Sequence, residues 1–151
     1  MDLPQYETLM LEAPEPHILI VRLNRPQAAN ALNTQMGRDL HAVWSWLIAE
    51  PGDTRCVVFA AAGEKAFCGG GDLKERNGMT DAAWRHQHEI FERAYWTQLD
   101  CPLPIIAAVT VLLVRRHGAG AVERADERDG VSGVEAGGGG LVTVAAFLTT
   151  T

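Results

Sequence analysis

The residues best suited to chemistry lie together in Ala66-Phe67-Cys68-Gly69-Gly70-Gly71-Asp72-Leu73-Lys74-Glu75-Arg76. They follow an apolar run, Cys56-Val57-Val58-Phe59-Ala60, that reads as a buried strand. Three consecutive glycines leave no Cβ to hold a ligand off the backbone, and they permit φ > 0. A bare backbone passing from a strand into a helical turn aims free N–H groups outward, where they can receive an anion or a developing oxyanion. The competing reading is a tight strand-to-helix turn with no ligand. Other chemistries find no support: the histidines at 17, 41, 86, 88 and 117 and the cysteines at 56, 68 and 101 show neither nucleophile nor metal-ligand spacing.

The elements that must position this loop are legible from periodicity and punctuation. Tyr6 to Glu12 and His17 to Asn24 read as strands, with a turn at Pro14-Glu15-Pro16, and Pro26 ends the second strand. Asn33 or Thr34 caps a helix running to about Glu50, with Met36, Leu40, Val43, Trp44 and Leu47 on one core-facing side. Pro51-Gly52-Asp53 stops that helix, and Arg55 to Ala62 forms the strand leading to the glycines. Thr80-Asp81 opens a second long helix to about Leu99, with Trp84, His88, Phe91, Tyr95 and Gln98 along one side. Cys101-Pro102-Leu103-Pro104 is a rigid connector into a third buried strand, Ile105 to Val109. Strands alternating with helices predict an α/β fold with parallel pairing.

Composition sets the class. A chain of 151 residues, 47% apolar, suits one domain with a modest core. A net charge of −6 argues against a general nucleic-acid binder, although a local basic pocket for phosphates is compatible with it. An odd number of widely spaced cysteines and an N-terminal stretch without a basic, apolar signal region predict a reducing, cytoplasmic setting. No apolar run approaches the roughly 20 residues of a membrane span.

Three segments, in order and at characteristic spacing, resemble the crotonase superfamily, the enoyl-CoA hydratase/isomerase family. They are the strand ending Leu23-Asn24-Arg25-Pro26 with Asn30-Ala31-Leu32-Asn33 after it, the glycine-rich segment ending Asp72-Leu73-Lys74-Glu75, and Cys101-Pro102-Leu103-Pro104-Ile105-Ile106-Ala107-Ala108-Val109. The resemblance covers roughly residues 6–109. It implies the N-terminal portion of a crotonase-like (ββα) spiral fold, acting on acyl-CoA thioesters of the kind met in fatty acid metabolism. It implies no separate cofactor and no metal, because coenzyme A is part of the substrate. Family members usually form trimers or hexamers.

Carried over position by position, the resemblance makes Gly71 the first backbone donor of an oxyanion hole that stabilises an enolate. Asp72, Leu73 and Lys74 match the segment lining the CoA arm, and Gln27, Ala28 and Ala29 match the loop at the adenine end. Lys74 could approach a CoA phosphate as a flexible point charge, or serve only as a solvated surface lysine. Family members often carry Lys where Gln27 stands, and Ala where Gly69 and Gly71 stand. The two glycines are expected to loosen the loop.

After Val109 the pattern departs from the family, which continues with a second glycine-rich turn, a second donor and, in hydratases, a catalytic Glu. Residues 110–151 read instead as an atypical, poorly ordered tail. Degenerate codons for Arg115 through Glu123, read one base later, permit Gly-Gly-Thr-Glu-Leu-Ala-Leu-Ser-Ser, which resembles the missing segment. A frameshift near Thr110 is therefore expected, the alternative being a divergent tail. Glu123, Glu127 and Glu135 sit on no site-forming motif. The chain is accordingly expected to be an inactive, truncated form of a hydratase or isomerase. The rival is a non-catalytic CoA-binding or assembly protein.

Overall fold

The computed structural model describes residues 3–109. The expectations of an atypical tail over residues 110–151 and of a frameshift near Thr110 lie outside the described residues. Four strands form one sheet in the order β1 (Leu9–Glu15), β2 (Ile18–Leu23), β3 (Cys56–Ala61) and β4 (Ile105–Ala107). β1 and β2 are an antiparallel hairpin, while β2–β3 and β3–β4 are parallel. Parallel neighbours need long crossovers. Helix α1 (Thr34–Ala49) lies between β2 and β3, and the short α2 (Leu73–Arg76) and long α3 (Asp81–Leu99) lie between β3 and β4. This is the predicted α/β arrangement.

The hairpin turn falls later than the sequence suggested. Pro14 and Glu15 belong to β1, and the turn is Pro16-His17. Pro14 sits where the register slips between Glu12↔Ile20 and Glu15↔Ile18, so its missing N–H fits an irregular stretch of the ladder. His17 takes the left-handed corner at φ 67°, and its ring donates from Nδ1 to the Asp53 carbonyl at 2.7 Å.

α1 is built as its sequence dictates. The Asn33 side chain accepts from the Met36 N–H at 2.9 Å, capping the first turn. Met36, Leu40, Val43, Trp44 and Leu47 are all buried against the sheet residues Leu19, Val21, Leu23, Val57 and Phe59 in a single core. Trp44, Phe59 and Phe67 meet edge to face, with ring centroids 5.6 and 5.4 Å apart.

α3 is capped by Thr80, as predicted, but its buried face is rotated from the expected line. Its buried residues are Gln87 and Ala94, whereas Trp84 is 44% exposed. The cause is the close packing of α3 on α1 at Gly37. A Cβ on Gly37 would lie 2.6 Å from Phe91 Cδ1 and 2.9 Å from Ile90 Cγ2. Only glycine lets Phe91 and Ile90 seat there, and their seating turns Trp84 and Trp96 outward. No described helix is long and apolar enough to cross a membrane.

Candidate active site

Two loops leave the carboxyl ends of the adjacent parallel strands β2 and β3, the end at which parallel α/β sheets commonly bind ligands. The first, after β2, contains Gln27, Ala28 and Ala29; the second, after β3, contains the three glycines and Asp72. Backbone bonds knit them together. The Gly69 N–H donates to the Ala29 carbonyl at 2.8 Å, and the Leu32 N–H donates to the Gly70 carbonyl at 2.7 Å. The Asp72 N–H returns to the Leu32 carbonyl at 2.8 Å.

These bonds fix the direction of Gly71. Leu32 and Gly71 form an isolated parallel bridge. In such a bridge the partner residue bonds to the groups on either side of its opposite number, here Gly70 C=O and Asp72 N–H. The N–H and C=O of Gly71 itself therefore point away from Leu32. The glycine amide lies outside any regular ladder, flanked by groups that are held.

The first loop is held under backbone strain. Ala29 and Asn30 both adopt left-handed conformations, at φ 51° and 52°. A left-handed alanine costs about 1–2 kcal/mol. Asn30, 1% exposed, holds the turn: its Oδ1 accepts from the Arg25 N–H, and its Nδ2 donates to the carbonyls of Ala62 and Ala66. The sequence showed Asn30 within a motif but gave no sign that it bridges the two loops.

Asp72 anchors the second loop. Its Oδ1 accepts from the Lys74 and Glu75 N–H groups, capping α2. Its Oδ2 pairs with Arg25 Nη2 at 2.9 Å, both side chains being mostly buried. Burial pushes the carboxyl up, but the hydrogen bonds from Arg25, Glu75 and Lys74 and the Arg25 charge outweigh it and hold Asp72 below the usual carboxylate range. Arg25 also donates from Nη1 to the Ala31 carbonyl. The neighbouring Cys68 thiol is pushed up, chiefly by burial, so it is not a reactive thiolate.

A second polar cluster lies on the α3 side. Gln87, 1% exposed, accepts from Arg76 Nε at 2.9 Å and donates to Thr34 Oγ1 at 2.9 Å and Glu75 Oε2 at 2.7 Å. Glu75 Oε2 also accepts from the Thr34 N–H. Gln87 thus ties together the starts of α1 and α2 and the middle of α3.

Of the residues singled out from sequence, Ala29, Gly71 and Asp72 meet in this junction. Gln27 is exposed on the short 3-10 turn Pro26–Ala28, Ala28 is partly buried beside it, and Leu73 and Lys74 are exposed on α2. Sequence reasoning missed the pinning roles of Arg25, Asn30, Glu75, Arg76 and Gln87. At Gly71 the missing Cβ has a use besides flexibility: a Cβ there would lie 2.7 Å from the guanidinium carbon of Arg76. At Gly69 a Cβ would come within 3.1 Å of the Ala29 carbonyl oxygen. Among the described residues no cluster of His, Cys, Asp or Glu could hold a metal ion.

A hairpin feeding a parallel sheet, with two knitted loops at its carboxyl edge, defines the N-terminal part of a crotonase-type fold. Solved structures agree. An enoyl-CoA hydratase from Bacillus anthracis superposes with a TM-score of 0.65 at 35% identity, over 69% of this chain and 40% of that one. An enoyl-CoA hydratase from Mycobacterium smegmatis does so at 0.62 and 33% identity, over 68% and 39%. A sequence model of the enoyl-CoA hydratase/isomerase family matches residues 18–110, and the chain belongs to that family. A putative enoyl-CoA hydratase/isomerase of Bacillus subtilis is 35% identical over 103 residues, 68% of this chain and 39% of the relative. A mevalonyl-coenzyme A hydratase of Beauveria bassiana is 53% identical over 64 residues, 42% of this chain and 22% of the relative. The chain spans about two fifths or less of the length of these relatives.

Proposed function

We propose that this chain binds an acyl-CoA thioester, with the Gly71 N–H donating to the thioester oxygen. The observation that carries this reading is the orientation of Gly71, whose N–H is turned away from Leu32 between two groups that Leu32 holds. Such a preorganised donor costs no reorganisation when charge develops, and one donor is worth about 10²–10³ in rate. Gln27, Ala28 and Ala29 contact the adenine end through backbone groups, and Asp72, Leu73 and Lys74 line the arm. Asp72 acts through its cap and Arg25 pair, Leu73 through its exposed side chain. Lys74, exposed beside them, suits a phosphate. Coenzyme A enters as part of the substrate and no further cofactor is required. The free thiols Cys56, Cys68 and Cys101 suit a reducing cytoplasm.

The reaction class is enoyl-CoA hydration or isomerisation, both of which need a carboxylate to move a proton. General acid–base groups contribute about 10²–10⁴. The carboxylates nearest Gly71 in sequence are already engaged, Asp72 with Arg25 and Glu75 with Thr34 and Gln87. We therefore assign this chain binding with little or no turnover. The test is calorimetric titration of the 151-residue chain with butyryl-CoA, together with a crotonyl-CoA hydration assay. Saturable binding without turnover is expected. Absence of binding would refute the site. Turnover at an ordinary hydratase rate, abolished by a substitution within Glu123 to Glu135, would refute the assignment of inactivity.

A further inference from the structure

Helix α3 carries a second apolar side, turned away from α1. Trp84, Trp96 and Leu99 on it are 44%, 61% and 58% exposed. Large apolar side chains grouped on one helix face mark a contact surface, unlike apolar residues scattered singly. The rings on this side are already held in place. Trp84 stacks on His88, with ring centroids 5.4 Å apart and planes 6° from parallel. His88 Nε2 in turn lies 3.3 Å from Glu92 Oε1. Tyr95 and Trp96 meet edge to face at 5.4 Å. At 3.6 residues per turn, Trp84, His88, Tyr95 and Leu99 fall within an arc of about 60°. Their spacing along the chain is four, seven and four residues, the same in either direction. Arg85 and Trp96, both exposed, lie on one flank of this stripe, and Arg85 forms no ion pair among the described residues.

We propose that this face binds a second copy of the chain, α3 against α3 in antiparallel orientation about a two-fold axis. The symmetric spacing is the reason for choosing a second copy over a foreign partner. A two-fold contact must be self-complementary, with residue i meeting j and j meeting i. Reversing the helix lays the stripe on itself: Trp84 meets the partner's Leu99, and His88 meets the partner's Tyr95. The same operation brings like flanks together, so Arg85 comes over the partner's Trp96. An unpaired guanidinium on an exposed indole face is a favourable cation–π contact, and it forms twice. The stacking of Trp84 on His88 reduces the rotamer freedom lost on association. Each tryptophan contributes on the order of 100–150 Å², which sets the contact at the small end of specific interfaces, below about 1,200 Å² in total. The inference stands apart from the thioester site and does not depend on it.

Sedimentation velocity on the full chain, at loadings from about 1 to about 200 μM, reads the assembly state directly. A monomer–dimer equilibrium is expected, with a dissociation constant on the order of 10–100 μM for an interface of this size. Trp84→Glu and Leu99→Lys, both at exposed positions, should each weaken it at least about tenfold, the scale on which loss of an interface anchor acts. Combined in one chain, the two substitutions should associate at least about threefold more tightly than either alone, because the antiparallel pair sets opposite charges against each other at both ends. Within one copy the two positions lie about 22 Å apart along the helix and cannot pair. A chain that stays monomeric, whether residues 110–151 or a different partner covers the face, overturns the inference, as does a trimer. This arm decides even if a variant fails to fold. A dimer indifferent to both single substitutions overturns it by placing the contact on another face. A combined variant no tighter than the single ones overturns the antiparallel pairing.

Discussion

Replacing Asp72 tests whether the glycine loop is held by the bonds that surround it. Asp72→Ala removes the acceptor for two N–H groups of α2 and the partner of Arg25 Nη2. Loss of a helix cap costs about 1 kcal/mol. Truncating one member of a buried ion pair costs about 3–5 kcal/mol. Arg25 keeps the Ala31 carbonyl and its side chain is 17% exposed, enough for water to recover part of that loss. That exposure brings the pair's share below the buried range, to about 2 kcal/mol, and with the cap gives about 3 kcal/mol for Asp72→Ala. Asp72→Asn keeps an oxygen for the cap and should cost about 2 kcal/mol. Urea unfolding, followed by tryptophan fluorescence with Trp44 fully buried, should show midpoint losses on the order of 1–2 M. The pH dependence adds a second criterion. A carboxyl whose folded pKa is lowered stabilises the fold above its unfolded pKa and ceases to as pH falls through the folded value. The Asp72→Asn deficit should be full at neutral pH and shrink toward zero once the medium is more acidic than about 4, the unfolded value. A deficit that stays constant into strong acid, or an Asp72→Ala cost below about 0.5 kcal/mol, would refute this account.

Two further substitutions probe the α1–α3 seam. Gly37→Ala places a Cβ 2.6 Å from Phe91, and overpacking of this kind should destabilise by about 1–3 kcal/mol in the same unfolding assay. Gln87→Leu leaves Arg76 Nε, Thr34 Oγ1 and one bond to Glu75 unmade in a buried setting, with an expected cost of about 2–4 kcal/mol. Hydrogen exchange should show the Thr34 amide losing protection in that variant, since its acceptor Glu75 is no longer held.

What the sequence disclosed follows the kind of force at work. α1 was legible from cap to face because Asn33 and a strict apolar stripe state the same thing twice. β3 and the glycine turn were legible because a buried parallel strand is a nearly continuous apolar run ending in residues that only a turn accommodates. The buried side of α3 was not, for two reasons. Its centre is a polar Gln87 whose burial is offset by partners more than ten residues away, and its orientation is set by a glycine on another helix. Pro14 misled for a related reason, since a proline is read as a turn unless the irregular register it occupies is known. At the site, glycines advertise a bare backbone, but Arg25, Asn30 and Arg76 act through distant pairings that no local pattern contains.

The parallel pairing has a consequence for the order in which this protein is assembled. The β1–β2 hairpin brings together residues close in the chain, and it can form early. Ile18 must find Cys56, and Val57 must find Ile105, before the rest of the sheet exists. Such non-local pairings carry loop-closure entropy before they return any contact energy, which places them late and slow in folding. The bonds that orient Gly71 run between the segments after β2 and after β3, so they depend on the first of these pairings. In a refolding time course, burial of Trp44 and recovery of ligand binding should therefore be separable events, with binding recovered last.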